Sequence, residues 1–115
     1  MAEVGMKSLQ TAILLDFYGN LLTDKMRRYM EMYYYDDLSL AEIAESENIS
    51  RQGVYDSLKR ADSTLKEFES KLGLAKRFKE QTDKTSRALS ELDKGNVSKA
   101  KEILTDLLEN MTEEE

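Results

Sequence analysis

A chain of 115 residues with no proline, five glycines and a formal net charge of −6 is long enough for one compact domain, or for a small domain with an appended helical hairpin, and its composition favours helices. It contains neither cysteine nor histidine, which excludes disulfides and thiolate nucleophiles and leaves most enzyme chemistries and metal sites without their usual groups. The acidic balance argues against indiscriminate binding of polyanions, because affinity for phosphate backbones comes largely from clustered Lys and Arg.

The apolar runs of the sequence are short. The longest aliphatic run near the N-terminus, residues 12–15, is far too short for a membrane span or for the apolar region of a signal peptide. The pair Asp36–Asp37 has no second cluster of ligands, so we interpret it as a polar turn that ends a helix rather than as a magnesium site. We therefore expect a soluble, cytoplasmic protein with no membrane insertion, no metal and no cofactor, and we expect it not to be an enzyme.

Two amphipathic helices are predicted in the first third of the chain. Apolar residues at positions i, i+3, i+4 and i+7 place the first helix at about residues 8–20. The same spacing, after a Thr-Asp start signal, places the second at about residues 23–35. Tyr29 and Tyr33 lie on the apolar stripe of the second helix, so we expect them to be buried rather than to stack on bases, with Tyr35 as the exposed ring.

The stretch "LSLAEIAESENISRQGVYDSLKRA" carries the most specific pattern. Ser39 and Glu42 match a capping box that starts a third helix of about two turns, and Ser50 matches the N-cap of a fourth helix. Between them we expect Asn48 in the left-handed conformation and Ile49 as an apolar plug in the turn. A short helix, a tight turn and a second helix with a polar N-terminal end are the parts of a helix-turn-helix.

The fourth helix has apolar residues spaced alternately by four and three positions. They are Val54, Leu58, Ala61, Leu65, Phe68, Leu72 and Ala75. Such a heptad seam is typical of a helix that packs along a partner helix, within the chain or across a dimer. Gly73 followed by Leu74 could instead end the helix, as a left-handed C-cap with a hydrophobic contact behind it.

The rest of the sequence predicts a helical hairpin. Gly95 and Asn96 mark its turn, and apolar positions between Ala100 and Met111 indicate its last helix. We divide the chain into three parts: a helix-turn-helix domain at residues 8–73, a C-terminal helical hairpin at residues 74–111 that packs on this domain or forms a dimer contact, and an acidic tail at residues 112–115.

The N-terminal part of the fourth helix is the predicted recognition helix. Its candidate nucleic-acid-binding residues are Ser50, Arg51, Gln52, Tyr55, Lys59 and Arg60. Ser50 and the free N–H groups of the first helical turn suit a phosphate. Arg51 can bind guanine and Gln52 can bind adenine with two hydrogen bonds each.

The other three candidates have supporting roles. Tyr55 would stack on a base or contact the backbone, while Lys59 and Arg60 would anchor phosphates. However, residues 39–61 hold four acidic residues against three basic ones, so this face has little electrostatic help, and Asp56 in particular would repel phosphate. The alternative is a plain helical bundle in which these polar side chains are merely solvated.

Three elements of the sequence, "DFYG..LT.K", "DLSLAEIAE" and "SRQGVYD", occur together in a known family. Through them residues 13–74 closely resemble the YlxM-like family of small bacterial helix-turn-helix proteins. That family is similar to region 4 of sigma factors, the four-helix module that reads promoter DNA, and its members are encoded beside signal recognition particle GTPase genes. Asp37 and Asn48 stand where sigma-type sequences often have Gly.

The resemblance implies an all-α fold: a sigma region 4-like helix-turn-helix bundle with a long helix, to which the C-terminal hairpin is added. It also places the recognition helix at Ser50 to about Leu65, with Arg51, Gln52 and Tyr55 at its groove-facing positions. The implied function is a regulator that binds DNA or structured RNA and is linked to the signal recognition particle pathway.

Two functions are therefore considered from the sequence. The first is a helix-turn-helix regulator of nucleic acid that acts as a homodimer, and this is the function we expect. The alternative is a protein-interaction module, favoured by the acidic net charge, that docks a signal recognition particle component through the heptad seam and the last helix without reading nucleic acid.

Overall fold

The structure, a computed structural model, describes residues 7–113. Within that range the regular structure is entirely helical, as the sequence predicts. The elements are α1 (Leu9–Tyr18), a short 3₁₀ helix (Gly19–Leu21), α2 (Asp24–Tyr34), α3 (Leu40–Glu47), α4 (Arg51–Leu72), α5 (Leu74–Asp93) and α6 (Val97–Glu113). None of these helices is long and apolar enough to cross a membrane.

Side-chain caps define where the first four helices begin. The hydroxyl oxygens of Ser8, Thr23, Ser39 and Ser50 each accept a hydrogen bond from the backbone N–H three residues ahead. Each bond satisfies one donor that a helix start leaves without a partner. At Ser39 the capping box is complete, because the Glu42 carboxylate also accepts from the Ser39 N–H at 2.9 Å.

The first helix ends earlier than the sequence predicts. The α-helix stops at Tyr18, and residues 19–21 continue as a 3₁₀ turn in which the Leu22 N–H donates to the Gly19 carbonyl at 3.1 Å. In this turn the Gly19 backbone lies close to the Leu15 side chain, since a Cβ on Gly19 would be 3.3 Å from it. The chain then turns extended at Leu22, whose side chain is buried.

The chain divides into two compact units, one ending at Ala75 and the other beginning at Lys76. In the first unit α1, α2 and α3 all pack on α4. The four first seam positions of α4, Val54, Leu58, Ala61 and Leu65, are completely buried. Tyr29 and Tyr33 are buried as predicted, and Tyr35 is exposed.

The heptad seam thus serves packing within the chain and does not run on to Ala75. The helix ends at Leu72, and Gly73 takes the left-handed conformation (φ 63°), with its N–H bonded to the Glu69 carbonyl at 2.8 Å. This is the C-cap that the sequence left as the alternative, and it leaves Leu72 exposed. Glycine adopts the left-handed conformation without steric strain, so it can end a helix even where the apolar periodicity continues beyond it.

Two side chains of the first unit cap the start of α5. The Tyr18 hydroxyl accepts from the Leu74 N–H at 2.9 Å and donates to the Glu69 carboxylate at 2.6 Å. The same Glu69 oxygen accepts from the Ala75 N–H at 3.1 Å. These bonds from α1 and α4 satisfy two backbone donors at the start of α5.

The second unit is the predicted hairpin of α5 and α6. Its turn contains Gly95 in the left-handed region (φ 84°), and the Asn96 N–H donates to the Glu91 carbonyl at 2.8 Å. An ion pair of 3.2 Å joins Lys84 of α5 to Asp106 of α6. Of the acidic tail, residues 112 and 113 extend α6, whereas Glu114 and Glu115 lie outside the described residues.

Candidate nucleic-acid interface

The turn between α3 and α4 has the predicted helix-turn-helix geometry. Asn48 is left-handed (φ 58°), and its N–H bonds to the carbonyls of Ala44 and Glu45. The Ile49 N–H then returns to the Ala44 carbonyl at 3.0 Å. These bonds satisfy carbonyl groups at the C-terminal end of α3, and Ser50, two residues after Asn48, is the N-cap of α4.

Asp37, before α3, is the other non-glycine residue with positive φ (57°) in the described chain. Its carboxylate pairs with the Lys7 ammonium, which also lies 4.9 Å from the centre of the Tyr33 ring. The hydrogen bond from Lys7 lowers the pKa of Asp37. This carboxylate is therefore engaged in an ion pair at a turn, and no group of three or more candidate ligands for a metal occurs among residues 7–113.

Ile49 fills the turn less completely than predicted. Its side chain remains 36% exposed, and its Cδ1 atom would lie 3.7 Å from a Cβ on Gly53. The buried contact between α3 and α4 is made instead by Ile43 and Val54, which are completely covered. Ile49 consequently covers the first turn of α4 and does not reach the core.

The first turn of the recognition helix is partly occupied by its own cap. The Ser50 hydroxyl accepts from the Gly53 N–H at 3.0 Å, so its oxygen is engaged while its hydrogen can still be donated. A Cβ at position 53 would lie only 3.2 Å from this hydroxyl oxygen. The absence of a Cβ at Gly53 therefore leaves room for the Ser50 and Ile49 side chains to pack on the first turn of α4. This packing explains why a glycine occurs here, although glycine weakens a helix by about 1 kcal/mol relative to alanine.

Arg51 and Gln52 stand on the exposed side of this turn. Arg51 makes no hydrogen bond or ion pair with another residue in the described part of the chain, so its guanidinium is available to a ligand. Gln52 is held, because its Nε2 donates to Asp56 Oδ1 at 2.9 Å, one turn further along. One amide hydrogen and the carbonyl oxygen of Gln52 stay available, which is the pair that a bidentate contact with adenine uses.

Tyr55 differs from its prediction, because its ring is half-buried against the core and not fully outward. The Lys59 ammonium lies 5.7 Å from the ring centre, in a cation–π contact. A base could therefore reach only part of this ring. Lys59 and Arg60 are both exposed, as phosphate anchors need to be.

The acidic residues of the motif are mostly engaged with neighbours. Glu42 belongs to the capping box, and its bond with the Ser39 backbone lowers its pKa. Glu47 pairs with Arg28 of α2 at 2.8 Å, and Asp56 holds Gln52. Only Glu45 of the four is exposed without a side-chain partner among the described residues. The Arg28 guanidinium offsets the charge of Glu47, whereas the bonds of Glu42 and Asp56 to neutral groups leave their negative charges in place.

Arg28 and Asp56 are the residues whose roles the sequence analysis missed. Arg28 lies 19 positions before its partner Glu47, and no helical spacing rule connects such a pair. Asp56 could have been recognised, since a Gln and an Asp four positions apart on a helix are a known hydrogen-bonding pair. Their contacts change the charge and the shape of the recognition surface.

Comparison with known proteins agrees with this geometry. Residues 6–107 match the family model described as "Putative helix-turn-helix protein, YlxM / p13 like". The YlxM protein of Bacillus subtilis is 46% identical over 103 residues, covering 90% of this chain and 91% of the relative. A relative from Halalkalibacterium halodurans is 44% identical over 105 residues, covering 91% and 94% of the two chains.

Other relatives align over a shorter segment. A protein from Thermoanaerobacter sp. strain X514 is 60% identical over 75 residues, or 65% of this chain, and the alignment spans 64% of that relative, slightly less than two thirds of its length. The match over residues 6–107 covers most of the sequence. The chain therefore belongs to the YlxM/p13-like family of helix-turn-helix proteins, and the resemblance drawn from its motifs is confirmed.

Proposed function

We propose that this protein is a non-enzymatic, cytoplasmic regulator that binds nucleic acid through the recognition helix at the start of α4. The observation that carries the proposal is the α3–Asn48–α4 turn, which presents Arg51 and Gln52 on one exposed edge. A helix-turn-helix docks the N-terminal end of its second helix in the major groove of DNA. We propose the same docking here, in the manner of sigma region 4.

The candidate side chains divide into two functional groups. Arg51 and the oriented Gln52 would contact base edges, and so determine which sequence is bound. Ser50, Lys59 and Arg60 would contact phosphates, and so determine affinity and register. Tyr55 would contribute the exposed edge of its ring to the backbone or to a base.

The two parts of the chain would then have separate tasks. We propose that residues 8–73 form the nucleic-acid-binding domain and that residues 74–111 serve assembly. A homodimer, DNA or structured RNA, and components of the signal recognition particle remain the predicted partners.

The test is a fluorescence anisotropy titration of the full chain with mixed-sequence duplex DNA and with signal recognition particle RNA, repeated over a salt series. Binding should weaken steeply with salt, because lysine and arginine contacts release counterions. Arg51→Ala should lower discrimination between sequences by about 1–3 kcal/mol. Lys59→Ala should weaken all sequences alike and flatten the salt dependence.

Arg87→Ala is the matched control, since Arg87 is an exposed arginine of α5 outside the motif. It should change binding much less than Arg51→Ala. Equal binding by the wild type, Arg51→Ala and Lys59→Ala would show that the helix-turn-helix does not contact nucleic acid.

The second candidate function is a protein-interaction module that binds a signal recognition particle component. One observation favours it: several large apolar side chains of the hairpin are exposed, including Leu104. Leu104→Glu would then abolish recovery of the purified partner while Arg51→Ala left it unchanged. Leu65 is unsuitable for this test because it is completely buried in the first unit, so a charge there would disturb folding.

A further inference from the structure

The hairpin of the second unit buries few of its apolar side chains and exposes many of them. Its buried hydrophobic cluster in the described residues consists of Ala88, Ala100 and Ile103. Besides Leu74 and Phe78 near the start of α5, six large apolar side chains of α5 and α6 are exposed: Leu89, Leu92, Val97, Leu104, Leu108 and Met111. We call these six residues the hairpin face.

Four residues of the hairpin face form one apolar surface across the two helices. Leu92 of α5 lines one shallow groove together with Val97, Leu104 and Leu108 of α6. Along α6 the exposed positions 97, 104, 108 and 111 follow the spacing of seven, four and three residues that marks a packing seam. Such a seam requires a further helix to pack against it, which α5 does not provide.

The small side chains at the centre of the hairpin explain why the face stays open. Ala88 of α5 and Ala100 of α6 are buried in one cluster with Ile103, and their small side chains cover little of either helix. The apolar arc of α6 is wider than the strip that this contact covers, since Ile103 is buried but Leu104, the next residue, is 42% exposed. A second layer of helices would cover the remainder, as in a four-helix bundle.

The area of the hairpin face matches a dimer contact. From the exposed fractions, its side chains leave on the order of 600 Å² accessible, at the upper end of the largest patches on typical monomers. Standard interfaces bury roughly 800 Å² per partner, of which about 65% is apolar in homodimers, or about 520 Å². The hairpin face alone therefore supplies the apolar part of such a contact.

Charge also fits a second copy. Residues 76–115 contain eight basic and ten acidic residues, so two hairpins would meet with little like-charge repulsion. The basic residues concentrate early in α5 and the acidic ones late in α6, where Lys84 and Asp106 already form an ion pair within one hairpin. Antiparallel helices from two copies can repeat this pairing of opposite signs.

We propose that the hairpin face is the surface on which a second copy of this chain docks, forming a four-helix bundle across a two-fold axis. The same surface would be used on both copies. A dimer would carry two recognition helices, and reading of paired half-sites would follow. The contact deepens the proposed assembly role of residues 74–111, and the reading of half-sites rests on the proposed binding of nucleic acid.

The test is sedimentation equilibrium of the full chain without nucleic acid, from low micromolar to submillimolar concentration. The wild type should reach twice the chain mass of 13.2 kDa. Leu104→Glu should weaken association at least about 100-fold, because it would bury an unpaired charge in the contact. Circular dichroism should show that the helix content of the variant is unchanged.

A second variant and a matched control keep the test decisive. Leu108→Lys changes the most exposed side chain of the hairpin face, at 66% exposure, so it is the least able to disturb the hairpin itself. Leu9→Glu makes the Leu-to-Glu change at an exposed position of α1. Leu108→Lys should yield monomers, and Leu9→Glu should remain dimeric.

Two results would overturn the proposal: a wild-type chain that is monomeric over the whole concentration range, or a dimer that survives both hairpin-face variants. Failure of the proposed function is recognised separately. Arg51→Ala should leave the mass at equilibrium unchanged, so a dimer that binds no nucleic acid contradicts the proposed function and leaves the docking surface standing.

Discussion

Replacement of Tyr18 by Phe should destabilise the first unit through the loss of a single hydroxyl group. The Tyr18 side chain is completely buried. Its hydroxyl donates to the Glu69 carboxylate at 2.6 Å and accepts from the Leu74 N–H at 2.9 Å. Phe keeps the ring and its packing, including the ring contact with Phe68, so the change isolates the two hydrogen bonds.

The expected loss in the free energy of unfolding can be estimated from the two hydrogen bonds of the Tyr18 hydroxyl. A hydrogen bond to a charged group contributes about 1.5–3 kcal/mol, and a buried N–H left without an acceptor costs about 1–3 kcal/mol. Some relaxation around the gap will recover part of the sum. We therefore expect Tyr18→Phe to lower the free energy of unfolding by about 2–4 kcal/mol.

Urea unfolding followed by circular dichroism measures this loss, since the sequence has no Trp and its helices give a strong signal. Tyr29→Phe is the matched control: Tyr29 is also buried, but its hydroxyl makes no hydrogen bond to another described residue, so the loss should stay below about 0.5 kcal/mol. A double-mutant cycle with Glu69→Gln should show coupling of about 1–2 kcal/mol. Equal losses for Tyr18→Phe and Tyr29→Phe would refute the hydrogen-bond argument.

Four further predictions test the packing and the motif. Leu58→Ala, at a completely buried position, should cost about 2–5 kcal/mol in urea unfolding, and a loss under about 1 kcal/mol would mean that the site is not packed as described. Asn48→Ala should cost about 1–2 kcal/mol because of the positive φ, while Asn48→Gly should be nearly neutral; the reverse order in thermal melts would contradict the left-handed turn. Asp56→Ala releases Gln52, so binding titrations should show higher affinity for all duplexes and poorer discrimination between them; unchanged discrimination would remove Asp56 from the recognition surface. The pKa of Glu42 is held below its ordinary value of 4.5 by the Ser39 backbone, so its charged form stabilises the fold above that pH and the benefit is lost as the pH falls. The stability difference between the wild type and Glu42→Gln should accordingly shrink from pH 7 to pH 3, and a constant difference would argue against the carboxylate as the cause.

The parts of the fold that the sequence predicts well are those set by neighbouring residues. The capping box at Ser39 and the left-handed Asn48 depend on residues within three or four positions. A short sequence pattern is therefore enough to predict them. The limits of α3 follow directly. At the end of α4 two local signals compete, and the left-handed Gly73 ends the helix although the apolar period continues to Ala75.

The contacts that shape the site and join the helices come from distant residues. Thr11 donates to Asp62 across 51 positions at 2.5 Å, and Tyr18 reaches Glu69 over the same separation. No periodicity in one segment indicates a partner in another. The half-buried state of Tyr55 has the same origin, because only the packing of α4 on the other helices decides how much of its ring is covered.

The acidic and basic residues of the recognition segment, residues 39–61, differ in how far their neighbours offset their charges. The Glu47 carboxylate faces an opposite charge, the Arg28 guanidinium at 2.8 Å. Glu42 and Asp56 keep their negative charges, because their partners, the Ser39 N–H and the Gln52 amide, are neutral. The segment therefore offers a ligand the exposed side chains of Arg51 and Arg60 beside carboxylates that still repel phosphate, in a chain of net charge −6. That net charge should act mainly on the rate of encounter and its salt dependence, whereas the side chains of the recognition helix would determine which sequence is bound.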